Sequence, residues 1–446
     1  MLYKNKNIFK LLWPILIEQT LSSMVGITAT VMVSNVGGYA VSAVGLVDSL
    51  NILLMNVFVA IAAGATVVIS QLSGKGDTVN IRKSISQATV LAVMVASAIG
   101  IVLLVFGSSA FSLLFGKVEP LVKQNGLIYM SMSAISYPFL AIFSTLAGVL
   151  RGQSNSRTPM IAAVMVNIVN VSFNSIFIYG MGLGVFGAAL GTLSGRITGA
   201  LILIIAICRT EGKGVFNLKH FKFDKDILKP ILHIGIPSGL DSLLFNGGKI
   251  IVQIFLSGMG TDAITGNVIA GSIFGLLCIP GNAFQLAVIT ISGRCYGAGL
   301  VKEAKYNIFK CSGLAMTFLA MVSLILVWFA RPILSIYNPS EGAFPYALTL
   351  FYLYLVAIPI TWPMSFIMPS GLRSVNDVKF VTLISIISMW LIRVLGGWFF
   401  GVYLNLGPFG INLAMCLDWV FRGSFYIPRL LTLKKLKQDN VDCVDS

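Results

Sequence analysis

Apolar residues fill this chain in twelve runs, roughly 11-33, 47-70, 87-107, 127-149, 160-180, 187-207, 231-256, 268-292, 308-329, 347-370, 380-400 and 408-428, separated by shorter polar breaks. Each can cross the ~30 Å hydrocarbon layer of a bilayer as a helix, since ~20 residues at ~1.5 Å each suffice. Membrane strands would be ~10-residue segments alternating apolar with polar, and these runs are apolar on every face. The pattern predicts an all-α polytopic membrane protein with twelve transmembrane helices.

The pattern also repeats. The first run, LLWPILIEQTLSSMVGITATVMV, carries Glu18, and the run from Ile231 carries Asp241; aligning Pro14 with Pro237 sets the two acids opposite each other at an offset of 223, half of 446. The same offset pairs Ser34 with Ser257, Gly37 with Gly260, Gly74 with Gly297, Gly76 with Gly299, Gly184 with Gly407 and Gly187 with Gly410, while Leu150-Arg151 matches Leu372-Arg373 at 222. Six helices per copy is an even number, so both halves start on the same side of the membrane. The expected architecture is two six-helix bundles related by a parallel repeat, with a pseudo-two-fold along the membrane normal. The one long charged break, RTEGKGVFNLKHFKFDKDILKPI, falls at the midpoint. Expected boundaries are an N-terminal bundle at 1-207, a cytoplasmic linker at 208-230, a C-terminal bundle at 231-428 and a cytoplasmic tail at 429-446.

Composition agrees in class: 57% hydrophobic and 11% charged residues, with a mean hydropathy of +0.90, against ~25% charged in a soluble domain. A net charge of +15 would suggest nucleic acid in a soluble chain. Here 25 of the 31 basic residues fall on the N-terminal tail and on alternate connections, leaving Lys117, Lys123 and Arg331 on the opposite side and Arg196, Lys249 and Arg393 inside helices. By the positive-inside rule both termini are cytoplasmic, in a multi-pass plasma-membrane protein of the bacterial inner-membrane kind. The basic charge is therefore topological, and no nucleic-acid partner is expected. The bilayer and a small-molecule substrate are the expected partners of a monomer.

Lys4, Lys6 and Lys10 precede an apolar run too long for a signal-peptide core, which reads as a retained first helix. The six cysteines, Cys208, Cys278, Cys295, Cys311, Cys416 and Cys443, are scattered singly, which argues against a metal site or disulfide framework. The two histidines, His220 and His233, lie in or beside the linker, and no HExxH, GxSxG or phosphate loop occurs. An enzyme is not expected, nor a cofactor beyond a coupling ion.

Function is then sought in the polar residues inside helices, which are costly there and usually line a path or a proton relay. Glu18, Ser22, Gly26 and Ala29 share one helical face. Glu18 reads either as a proton carrier or as a protonated carboxyl satisfied by a neighbouring helix. Asp241 shares that ambiguity. A polar stripe of Ser238, Ser242, Asn246, Lys249 and Gln253 runs along its helix, with Lys249 ~12 Å beyond the acid and so out of direct reach. Lys249 is expected to face a cavity or to pair with an acid from another helix. The densest stripe is Asn167, Asn170 and Asn174, read as lining a substrate or cation path, with helix-to-helix glue as the other reading. Arg393, one turn after Trp390, is a candidate for cavity electrostatics. Two acids are secondary: Asp48-Ser49 has the look of an N-cap, and Asp418 is spaced to neutralise Arg422. Pro280, Pro359, Pro363 and Pro369 sit inside helices and are hinge candidates.

Several segments together resemble the multidrug and toxic compound extrusion family of cation-coupled antiporters: WPILIEQ, VSNVGGYAVSAVGLVDSLNILL, SQLSGKGD, GVLRGQSNSRTPM, NIVNVSFNSIFIYGMGLGVFGAA, GRCYGAG, GLRSVNDVKF and LGPFGINLA, in that order. The resemblance implies export of small cationic or amphipathic organic compounds in exchange for H+ or Na+ by alternating access. A lipid-linked oligosaccharide or lipid flippase of the same superfamily is the alternative, although such proteins usually carry more arginine in their helices. The chain also departs from the family. Where members often carry an aspartate before a Thr-hydrophobe-Met triplet, Ala29 precedes Thr30-Val31-Met32; a second familiar aspartate falls on Asn174; and 347-370 holds no acid. Glu18 is left as the main candidate in the first helix.

Overall fold

The computed structural model describes residues 5–116, 118–216 and 224–433, without the side chains of Asn5, Ile27 and Lys213. Lys117, His220, Cys443, the linker from 217 to 223 and the tail from 434 lie outside the described residues. All twelve expected runs fall on helix, and no strand occurs among the described residues. The helices are α1 Asn5–Ser34, α2 Gly38–Lys75, α3 Thr78–Phe115, α4 Pro120–Gly152, α5 Arg157–Asn174, α6 Gly184–Glu211, α7 Lys225–Ser257, α8 Thr261–Gly297, α9 Val301–Trp328, the short α10 Ala330–Ser335, α11 Ala343–Trp362, α12 Met368–Ser374, α13 Val378–Ser388 and α14 Gly407–Leu431. Wide π turns extend α5 over Ser175–Gly180, join α11 to α12 over Pro363–Ile367, and extend α13 over Met389–Leu395 and Trp398–Tyr403. Among the described residues, eleven helical stretches are long and apolar enough to cross a membrane. The expected twelfth, α14, carries Asp418, Arg422 and Arg429.

The helices overrun the apolar runs because their ends are set by backbone chemistry. Gly76 ends α2 in the left-handed conformation at φ 77, its N–H bonded to the Leu72 carbonyl, and Asp77 then caps α3 by accepting from the Asn80 N–H at 3.0 Å. Gly299, the repeat partner of Gly76, has the same φ of 77. Glycine recurs there because left-handed backbone costs other L-residues ~1–2 kcal/mol.

The chain forms two compact units, Phe9–Gly239 and Leu240–Ser446 with Met1–Ile8, and the division falls inside α7. In the first unit α4 lies against α2, α3 and α6, and α5 against α6. Lipid tails are as apolar as leucine, so small residues that let backbones approach set these contacts. A Cβ on Gly152 of α4 would sit 3.0 Å from the Thr66 carbonyl oxygen of α2, and one on Gly187 of α6 would sit 2.9 Å from the Phe177 backbone. The second unit repeats that last contact, with Gly410 of α14 against the backbone of Phe400. Its core is aromatic: Trp362 stacks on Phe366 at 4.0 Å and Trp419 on Phe274 at 5.9 Å.

Candidate functional site

The acids of the repeat meet the arginines of the repeat. Glu18 on α1 lies 2.5 Å from Nη1 of Arg151 in the last turn of α4, and Asp241 on α7 lies 2.6 Å from Nη2 of Arg373 in the last turn of α12. Each unit therefore joins its repeat's first helix to the end of the fourth by the same charge-assisted contact. The first pair is the more buried, with Glu18 only 3% exposed. Charged hydrogen bonds of this length are roughly twice as strong as neutral ones. The neighbouring-helix partner of Glu18 is thus Arg151 of α4.

Asp48 is where the structure most changes the sequence reading. It is no N-cap: α2 begins ten residues earlier, after Gly37, so Asp48 lies in the third turn of an established helix. The run read from sequence starts at 47, although Ala40, Val41, Ala43, Val44 and Leu46 already lie on α2. Asp48 Oδ1 accepts from Asn51 Nδ2 at 3.1 Å and from the Tyr129 hydroxyl at 3.3 Å. The Tyr137 hydroxyl donates to Asn51 Oδ1 at 2.6 Å, and Asn51 Nδ2 also reaches Ser133 Oγ at 3.4 Å. Arg196 of α6 donates to Ser136 on the same face of α4 and lies within electrostatic reach of Asp48. Three helices thus converge on one carboxylate that makes no direct ion pair among the described residues. Sequence reasoning missed the partners; the Asp48/Asn51 spacing on one helical face was the only local signal.

The asparagine stripe packs inward. Asn167 Nδ2 donates to the Leu21 carbonyl of α1 at 3.2 Å and to Ala163 at 2.9 Å; Asn174 Nδ2 donates to Asn170 Oδ1 at 3.0 Å, both residues buried. Asn174 leans on Gly191 of α6, where a Cβ would collide with its side chain. These contacts have the form of helix glue, although Asn174 Oδ1 has no hydrogen-bond partner.

In the second unit the charges gather around one ring. Lys249 Nζ and Arg393 Cζ each lie 4.8 Å from the Phe245 ring centre, and Arg422 Cζ lies 5.8 Å away. Asp418, fully buried, accepts from Arg422 Nε at 3.0 Å as the spacing predicts, and its other oxygen lies 3.8 Å from Arg393 Nη1. Ser388 also donates to Asp418. Lys249 is exposed beside Phe245, and its described contact is that ring rather than an acid from another helix. Along the same stripe Asn246 donates to the Ser242 carbonyl at 2.8 Å and Gln253 is exposed.

Of the hinge candidates, Pro359 lies within α11, Pro363 opens the π turn after it, Pro369 lies in α12 and Pro280 in α8. Arg393 also sits in a π turn. Such turns break the regular ladder and are frequent at functional sites. Among the described residues no three His, Cys, Asp or Glu side chains gather as a metal site would need.

The MatE family model matches residues 14–176 and 237–399. Both segments begin at the aligned prolines of the repeat. Among similar proteins, the "Uncharacterized transporter YisQ" of Bacillus subtilis (strain 168) is 26% identical over 94% of this chain and 92% of its own length. The "Probable multidrug resistance protein NorM" of Thermotoga maritima is 26% identical over 94% and 90%. The fold is similar to the outward-facing conformation of a multidrug resistance MATE family transporter, with a TM-score of 0.87 at 20% identity, covering 96% of each chain. A MOP superfamily transporter from Pyrococcus furiosus, described by a reversed polarity of its binding pocket, gives 0.86 at 20% identity over 96% of each chain. With both halves matched, the chain belongs to the MatE family, whose members are ion-coupled membrane transporters of small molecules and not enzymes.

Proposed function

We propose that the protein exports small amphipathic organic compounds across the plasma membrane in exchange for H+ or Na+, by alternating access, with Asp48 as the group that takes the coupling ion. The observation that supports Asp48 is its set of partners. In the first unit two acids lie away from the helix ends: Glu18, held against Arg151, and Asp48, whose described partners are the neutral groups of Asn51 and Tyr129. A carboxylate held by neutral donors can accept a proton or sodium ion without first displacing a bonded cation. The amide and phenol can then rotate to donate or accept as its charge changes. The change is passed to α4 through Tyr129, Tyr137 and Ser133, so that one ion at Asp48 bears on two helices at once. Such a differential interaction is what a coupling ion needs in order to shift a two-state carrier.

Glu18 and Asp241 take a different part in this reading, holding the cytoplasmic ends of α4 and α12 to α1 and α7. Both termini are cytoplasmic and the protein works as a monomer, with residues 1-207 and 231-428 as the working halves joined by 208-230. The flippase alternative is not favoured by the relatives found. The test is uptake of a fluorescent amphipathic compound into proteoliposomes under an imposed pH or Na+ gradient. A response to one of the two gradients supports the reading, and no response to either overturns it.

A further inference from the structure

Three of the described charge clusters inside helices are balanced. Glu18 has Arg151, Asp241 has Arg373, and Asp48 has Arg196 nearby. Around Phe245, however, Lys249, Arg393 and Arg422 share Asp418 as the one acid among their described contacts. Two positive charges are left over. We propose that this cluster binds the anionic group, a sulfonate, carboxylate or phosphate, of an amphipathic solute that the transporter carries; the proposal rests on the efflux reading and names its substrate class.

Three features of the site support an anion over a cation. First, donors: among the described residues Arg422 Nη2 has no hydrogen-bond partner and Arg393 Nη1 has only its 3.8 Å ion pair with Asp418, in residues only 3% and 5% exposed. Desolvated cations are costly unless paired, and the face of a phenyl ring offsets only a small part of that cost. Arginine donors suit the planar or tetrahedral oxygens of an acid group. Second, order of depth: Asp418 is the fully buried member and Lys249 the exposed one, so an incoming ligand meets the lysine before the acid. An organic cation brought to the same place would face like charge and be disfavoured. Third, the body of the ligand has an apolar neighbour, since Phe245 meets Phe366 edge-on at 6.5 Å, and Phe366 continues into Trp362 and Trp419.

The test uses a matched pair of probes, a naphthalene sulfonate and a naphthyl trimethylammonium. Binding is measured on the full-length protein in neutral detergent, and gradient-driven uptake in phosphatidylcholine proteoliposomes. Wild type is expected to bind the sulfonate about 10-fold more tightly than the ammonium, with Lys249→Gln losing most of that preference, Lys249→Arg keeping it and Lys249→Glu inverting it. Lys249 has no acid among its described partners, so these variants leave no acid stranded, and each is checked by its melting curve. Tighter ammonium binding in wild type, or a preference that Lys249→Glu leaves unchanged, overturns the proposal. So does displacement of the sulfonate by phosphatidylglycerol with the same Lys249 dependence, which would assign the cluster to a lipid headgroup. Uptake of the ammonium alone would overturn the anion site and leave efflux standing; Lys249-dependent sulfonate binding with no uptake in either gradient would keep the site and overturn efflux.

Discussion

Glu18 and Asp48 are both acids inside helices, yet they differ in what holds them. Removing the Glu18 carboxylate breaks a 2.5 Å contact to Arg151 and leaves a guanidinium alone in a buried place. Glu18→Gln is therefore expected to lower stability by about 3–5 kcal/mol, read as a drop in the melting temperature of the solubilised protein, with the exchanged pair Glu18→Arg/Arg151→Glu recovering part of it. Equal melting of wild type and Glu18→Gln would contradict the pairing. Asp48→Asn keeps the shape and two of the four lone pairs at that site, so it is expected to fold, to bind substrate, and to lose the response to the coupling gradient. The sequence made Glu18 visible because it interrupts an apolar run. It hid Asp48, because an apolar run taken to start at 47 put the apparent helix start at the acid itself. The partner of Glu18 is 133 residues away, beyond any local pattern. The repeat nevertheless held the clue, since acid and arginine both recur in the second half.

Elements were legible where a single residue type forces a backbone conformation. Gly76 and Gly299 match in sequence and share φ 77. Gly76→Ala or Gly299→Ala is expected to cost about 1–2 kcal/mol, measured as a lower thermal midpoint, while a change below detection would contradict the strain argument. The π turns were not legible, because they are a property of how a helix end is packed and not of any residue alone. One of them follows α5 and recurs 223 residues later after α13. Pro363 was read as a hinge, and its position at the head of the π turn between α11 and α12 gives that reading a physical form. Proline lacks the N–H of a regular ladder and so favours the irregular turn. Pro363→Ala is expected to slow transport several-fold while leaving substrate affinity unchanged, tested by comparing uptake rates with equilibrium binding; equal rates would remove Pro363 from the moving parts.

At the scale of the whole molecule the sequence showed the helices, the repeat and the family, because hydropathy and duplication are spread over hundreds of residues and survive local exceptions. The exception in α14 is itself informative. Asp418, Arg422 and Arg429 make it too polar to pass as a simple span, and Asp418 and Arg422 belong to the cluster around Phe245. A fully buried acid with two arginines is what a helix keeps when its inner face is occupied by chemistry and only its outer face meets lipid. What composition could not give was the local sign of charge. Most of the net +15 lies in loops and tails, whereas a small excess sits inside the helices around Asp418.

The most direct test of the account is gradient-driven transport by the full-length protein in proteoliposomes, comparing wild type with Asp48→Asn under an imposed pH gradient and an imposed Na+ gradient. Wild type is predicted to transport faster under one of the two gradients than under neither, with Asp48→Asn transporting at the same low rate with and without that gradient. An Asp48→Asn protein that keeps the wild-type response, or a wild type indifferent to both gradients, would contradict it.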